Sequence, residues 1–208
     1  SACIGSEAAT HTIGFSGRIH PEKGLDLLVK ACSLLRDKGY RLHLRLIGPR
    51  AIAQGGGGDS YVATLDRLAK GFPVEWVDPI SDASELAKEL RTCDVYCYPS
   101  IAEQGETFGV APLEAMAVGC ATVVSALECF QDFVDDGVSA LVFNHRVDNP
   151  AEQLAERIEY FLTNPDSREK VATEGSRVAH TKFSNDHIAK QYLADFHSLL
   201  SDKKYAKQ

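Results

Sequence analysis

Short apolar runs rich in β-branched residues alternate with segments whose apolar positions recur every three to four residues, and this alternation fills the first two thirds of the chain. The first run, His11–Ser16, predicts a strand; a polar turn through Pro21 and a helix at about 24–36, with Leu25, Leu27, Leu28, Ala31 and Leu35 inward, complete one βα unit. The pattern then predicts strands at 42–47, 74–77, 94–98, 121–124 and 140–143, with helices near 61–70, 83–91, 110–118 and 130–134 between them. Strands that alternate with helices and read as continuous apolar runs predict a parallel sheet covered on both faces, a doubly wound, Rossmann-like α/β fold. After Asn149-Pro150 the pattern becomes purely helical, at about 151–162, 167–182 and 185–201. Leu154, Ile158, Phe161 and Leu162, and later Ile188, Tyr192, Phe196, Leu199 and Leu200, fall at helical spacing, and these last helices are expected to cover the sheet.

The run Gly55–Gly58 follows the second strand without the Gly-Lys-Ser/Thr that would make it a phosphate loop, and it reads as a flexible insertion. With 208 residues, 44% hydrophobic and 25% charged, the chain has material for an ordinary globular core. It carries no apolar window long enough to cross a membrane and no basic-then-apolar start of a signal peptide. The six cysteines are scattered; Cys93 and Cys97 alone lie close, at a spacing that suits neither a zinc knuckle nor a redox pair. They read as small buried hydrophobes in a reducing, cytoplasmic setting. A net charge of −7 offers no general footprint for nucleic acid, so an anionic ligand has to be held by a few placed cations.

An open parallel sheet binds ligands outside the carboxyl ends of its strands. The loop after the first strand, Gly17-Arg18-Ile19-His20-Pro21-Glu22-Lys23-Gly24, brings a planar guanidinium and a point-charge ammonium to that edge, a pairing suited to phosphate groups. The competing reading is a solvated turn whose cations meet carboxylates, with His20 a turn residue. The segment after the 94–98 strand ends in a helix announced by Pro112 in its first turn, whose free N–H groups form an anion site. Glu106 lies just before that helix and Glu114 inside it, so two carboxylates reach different parts of one extended ligand; otherwise they are a helix-start charge and a surface residue.

Together these segments resemble the nucleotide-sugar-dependent retaining glycosyltransferases of the GT-B fold, the large group 1 family. Glu106-Thr107-Phe108-Gly109-Val110-Ala111-Pro112-Leu113-Glu114 matches that family's paired-glutamate signature and continues into Ala115-Met116-Ala117-Val118-Gly119. The resemblance extends to Gly17-Arg18 with Pro21-Glu22-Lys23-Gly24, to Asp94–Ser100, and to Asp136-Gly137 with Leu141-Val142. It implies that Arg18 and Lys23 neutralise the donor's diphosphate, Glu106 binds the donor sugar, Glu114 accepts from the ribose, and Gly17 with the N–H groups of Phe108, Gly109 and Val110 completes the phosphate contacts. It implies a hexosyl donor on a nucleoside diphosphate, no cofactor and no metal. The acceptor would be a saccharide, a lipid-linked molecule or a small molecule, in polysaccharide or glycolipid synthesis.

The match departs from the family at Glu128-Cys129, where many members have Gly-Gly, at Cys120, and at Gly48-Pro49-Arg50 with its glycine run. Length departs too, since the resemblance covers only the C-terminal, donor-binding half of a two-domain enzyme. Residues 1–10 are then read as linker and 11–208 as the donor domain, with the acceptor on an absent N-terminal domain and the isolated chain inactive in transfer. Lys203, Lys204 and Lys207 suit either a solvated tail or peripheral contact of the full-length enzyme with a membrane. The alternatives are a non-catalytic nucleotide-binding or interaction module of the same fold, and a dinucleotide oxidoreductase, which the missing Gly-x-Gly-x-x-Gly disfavours.

Overall fold

The computed structural model describes residues 9–201. Six strands, β1 (Thr10–Ser16), β2 (Arg41–Ile47), β3 (Val74–Val77), β4 (Val95–Tyr98), β5 (Thr122–Ser125) and β6 (Leu141–Phe143), form one parallel sheet in the order β3-β2-β1-β4-β5-β6. The helices are α1 (Leu25–Asp37), α2 (Gly58–Leu68), α3 (Ala83–Leu90), α4 (Val110–Ala117), α5 (Pro150–Thr163), α6 (Pro165–Lys182) and α7 (Asn185–Ser201). α1 packs on α2 and α5, while α4 packs on α3 and α6. The doubly wound expectation therefore holds. The order reverses between β1 and β4, which opens a crevice outside the carboxyl ends of those two strands.

Four details correct the reading from pattern. The short helix expected at 130–134 is a 3-10 turn at Glu128–Asp132. Thr10, counted with the linker, is the first residue of β1, while residues 1–8 and the lysines at 203, 204 and 207 lie outside the described residues, as does Cys3. β2 is not continuously apolar, because Arg45 sits half-buried in it with ion pairs to Glu75 at 2.8 Å and Glu89 at 3.0 Å. Most consequential is α7. Helices α5 and α6 do bury Leu154, Ile158, Phe161 and Val171, but Tyr192, Leu193, Phe196, Leu199 and Leu200 of α7 stay exposed, Leu200 by 83%. Helical periodicity reports that a helix has an apolar face, not that a partner for it is at hand.

The glycine run is also not a loose insertion. Gly56 and Gly58 are buried, and the amides of Gly57 and Gly58 donate to the Ile19 and Arg50 carbonyls at 2.7 and 2.9 Å. A Cβ on Gly56 would stand 2.2 Å from the Arg50 carbonyl oxygen, so the absence of side chains is what lets this strand-end loop lie against its neighbours. Cys32, Cys93, Cys97 and Cys120 are buried free thiols, as small hydrophobes are, and burial pushes Cys32 up to about 12.

Candidate donor-binding site

The loop leaving β1 is held on both sides. The Gly17 amide donates to the Ile47 carbonyl at 2.9 Å and Ile19 is fully buried, so the backbone crosses the end of β2 rather than looping into solvent. Pro21–Lys23 then form a single 3-10 turn, which His20 caps by accepting from the Glu22 amide at 3.4 Å; this is the turn role expected of that histidine. Gly24 follows in the left-handed region at φ 64°, where a Cβ would meet the Pro99 carbonyl oxygen at 2.1 Å. That contact docks the start of α1 against the end of β4 and turns Lys23 inward.

Lys23 is 6% exposed, which overturns the solvated-turn reading for it. Its Nζ lies 2.7 Å from Glu106 Oε2 and 5.5 Å from the centre of the Tyr98 ring, and the Tyr98 hydroxyl donates to the same Glu106 oxygen at 3.1 Å. Burial and the adjacent Glu106 carboxylate both push the Tyr98 phenol up, so it remains a donor. A cation, a carboxylate and a phenol thus converge at the reversal point of the sheet. One ammonium N–H is used by Glu106; the next carboxylate oxygen, Glu22 Oε1, stands at 4.0 Å, beyond hydrogen-bond reach, which leaves N–H groups for an anion. Arg18 is different: it stays exposed, anchored by the Glu22 carboxylate and by the Gly55 carbonyl at 3.3 Å.

The segment after β4 is tied to the first loop through the Ile101 amide, which donates to the Glu22 carbonyl at 2.9 Å. It rises to Gly109, which precedes α4 in the left-handed region at φ 89° with the Phe130 ring 2.4 Å from where a Cβ would be. No side chain caps α4, so the N–H groups of its first turn remain open to an anion. Phe108 anchors the turn below, its ring 5.3 Å from Phe133 and 5.6 Å from Phe183. Glu114 stands in the second turn of α4; the residue keeps an exposed surface, yet partial desolvation raises its carboxyl above the ordinary range with no cation to offset it.

Beside Glu106 opens a cleft of about 570 Å³ lined by Ala102, Glu103, Glu106, Leu127, Glu128, Cys129 and Arg146. The structure thereby gathers Lys23 and Glu106 into one node, with Tyr98, and sets Arg18, Gly17, Gly109 and Glu114 on the same strand-end edge. Reading the sequence missed Tyr98, Glu103 and Arg146. The departure at Glu128-Cys129 was a signal in plain view, since both residues wall the cleft. A second cleft, of about 420 Å³, lies where Asp94 enters β4 and contains an Arg168–Asp94 ion pair at 3.5 Å; it is at the opposite edge of the sheet from these motifs.

A doubly wound parallel sheet whose reversal point carries a buried lysine, a paired carboxylate and an uncapped helix start defines a Rossmann-like domain with a cation and open N–H groups at its strand-end crevice. Residues 5–178 match the family model of the glycosyl transferases group 1, and the chain belongs to that family. It is 32% identical over 192 residues to the D-inositol 3-phosphate glycosyltransferase of Actinosynnema mirum, covering 88% of this chain and 43% of that protein. With the phosphatidyl-myo-inositol mannosyltransferase of Mycobacterium tuberculosis it shares 32% over 167 residues, 79% of this chain and 41% of that one. The chain therefore spans about two fifths of the length of these curated relatives.

The fold is that of solved GT-B glycosyltransferases. Sucrose-phosphate synthase from Thermosynechococcus elongatus superposes with a TM-score of 0.78 at 24% identity, over 94% of this chain and 47% of that one. HepE of Anabaena, crystallised with UDP and glucose, superposes at 0.75 and 21% identity, over 91% and 48%. The C-terminal domain of a group 1 glycosyl transferase from Francisella tularensis, crystallised by itself, superposes at 0.67 and 21% identity, over 84% and 87%.

Proposed function

We propose that this chain is the donor-binding half of a retaining glycosyltransferase, taking a nucleoside diphosphate sugar at the carboxyl edge of its sheet. The observation that carries the reading is the Lys23–Glu106–Tyr98 node beneath the open start of α4. In transfer, the bond from the anomeric carbon to the diphosphate oxygen breaks with its electron pair going to the diphosphate. The acceptor oxygen forms the new bond, and its proton leaves with the diphosphate. Negative charge accumulates on the leaving group, where Lys23, Arg18 and the α4 amides stand ready to stabilise it without reorganisation. No step of this scheme requires a metal ion.

Within this reading Glu106, held by Lys23 and Tyr98 through Oε2, offers Oε1 to the sugar hydroxyls. Glu114 accepts from the ribose, and the acceptor, a saccharide, a lipid-linked molecule or a small molecule, is held by a second domain. The two relatives named for inositol compounds favour a role in glycolipid or small-molecule glycosylation.

The test is calorimetry of the chain with UDP, GDP and ADP and their sugar conjugates, with chelator and with magnesium. Weak binding without metal, and loss of binding by roughly tenfold or more in Lys23→Ala and Arg18→Ala, are expected, because each removes a charge-assisted hydrogen bond worth about 1.5–3 kcal/mol. No transfer is expected from this half alone, since nothing positions an acceptor against the open donor. A strict magnesium requirement, or unchanged affinity in both variants, would refute the scheme.

A further inference from the structure

Three loops wall the cleft beside Glu106, those leaving β4, β5 and β6, and one side chain joins all three. Arg146, on the loop between β6 and α5, forks onto Glu103 with Nε 2.7 Å from Oε1 and its second guanidinium nitrogen 2.8 Å from Oε2. Its remaining nitrogen donates to the Ala126 carbonyl, just past β5, at 2.8 Å. His145 adds a fourth contact, with Nε2 2.8 Å from Glu103 Oε1. The His145 side chain is 4% exposed, and its Nδ1 is buried with no partner among the described residues.

The local backbone shows what the clamp holds. From Glu103 to Glu106 the chain is exposed apart from the Glu106 carboxylate end, contains Gly105, and has three local turn bonds, the Glu103 amide to the Ile101 carbonyl at 3.0 Å and the Gly105 and Glu106 amides to the Ala102 carbonyl at 3.3 and 3.2 Å. Arg146 is itself aimed by its own loop, where its amide donates to Asn144 Oδ1 at 2.9 Å and the Asn144 amide to Gln153 Oε1 at 3.0 Å. The Arg146 guanidinium, and secondarily His145, hold the Glu103 carboxyl down to about 2, so the clamp stays ionised at any physiological pH. An isolated exposed ion pair adds little to global stability, but a bidentate fork shared by three loops restricts one segment strongly.

We propose that Arg146 is a positioning residue that builds the sugar end of the donor site: by clamping Glu103 it fixes the segment that presents Glu106 to the donor's sugar. The proposal rests on the donor-site reading above. It assigns to Arg146 mainly the sugar's share of the affinity, because Arg146 and Glu103 bond neither Lys23, which is carried on the loop after β1, nor the amides at the start of α4. A lysine can replace it only in part, since an ammonium lacks the planar fork that reaches two loops at once.

The experiment compares UDP with UDP-glucose and GDP with GDP-mannose by calorimetry on the chain and its Arg146→Ala, Arg146→Lys and Glu103→Gln variants. In the wild type the sugar conjugate is expected to bind several-fold more tightly than the bare diphosphate. In Arg146→Ala and Glu103→Gln that ratio is expected to fall to about one, with diphosphate affinity within twofold of wild type. The double variant should be no worse than either single one, as for residues acting as a unit. Arg146→Lys should recover only part of the ratio. An unchanged ratio in Arg146→Ala, or an equal loss for diphosphate and conjugate, would overturn the proposal, and so would a wild type that binds both equally. A wild type that binds no nucleotide at all would instead sink the donor-site reading on which it rests.

Discussion

Under the proposed function, Glu114 is a side chain that trades stability for a site. Its carboxyl is raised by partial desolvation with no compensating cation, so the ionised form costs the folded state something that the unfolded chain does not bear. The sign follows from linkage: the penalty is present above the folded pKa and disappears below the ordinary glutamate value of about 4.3. Glu114→Gln should therefore raise the melting temperature slightly at pH 7, and this gain should vanish by about pH 4. In the same variant nucleoside diphosphate affinity should fall by about tenfold, and discrimination against the 2′-deoxy analogue should weaken, since a carboxylate is a stronger acceptor than an amide for ribose hydroxyls. Melting curves across pH with calorimetry on ribo and deoxy ligands check both halves. Lys23 makes the complementary point: its charge is tolerated at 6% exposure because Glu106 lies 2.7 Å away, so neither partner can be removed without stranding the other.

At the scale of elements, the strand-end loops owe part of their shape to close approaches that only glycine permits. Glycines at 24, 56 and 109 each stand where a Cβ would lie within 2.4 Å of a backbone oxygen or an aromatic ring. Gly109→Ala should thus cost more than the roughly 1 kcal/mol typical of a glycine change, because the φ of 89° and the Phe130 ring both oppose it. The variant should also lose phosphate binding as the start of α4 shifts, a combination that denaturant unfolding and calorimetry would resolve. The glycine run admits an independent check. The Gly57 and Gly58 amides, bonded to Ile19 and Arg50, should be protected from hydrogen exchange well beyond the rate of a free loop.

For the molecule as a whole, the notable feature is the apolar face of α7, which no described residue covers. Replacing Leu193, Phe196 and Leu200 by serine or glutamine should cost no more than about 0.5 kcal/mol of unfolding free energy apiece, because these side chains are 58%, 56% and 83% exposed. Equilibrium denaturation decides it. A loss of several kcal/mol would mean that α7 packs against the domain in solution.

Much of this was legible from residue order. The alternation of β-rich runs with helical periodicity determined the six strands and the doubly wound class, since burial on both faces demands that pattern and handedness leaves few topologies. Motif spacing placed Arg18, Lys23, Glu106 and Glu114 at one sheet edge, because loops after parallel strands must gather there. Tertiary structure decided what spacing does not encode. Lys23 is buried only because Gly24 lets α1 dock on Pro99; Tyr98 is a site residue only because β4 lies beside β1. Arg146 and Glu103, 43 residues apart, meet across loops with no repeating pattern to announce them. The glycine run read as loose because its partners Ile19 and Arg50 come from other parts of the chain, and α7 read as buried because periodicity records an apolar face but not the surface that receives it. Local sequence specifies elements through propensity and period, whereas contacts between loops depend on where the whole sheet brings their ends.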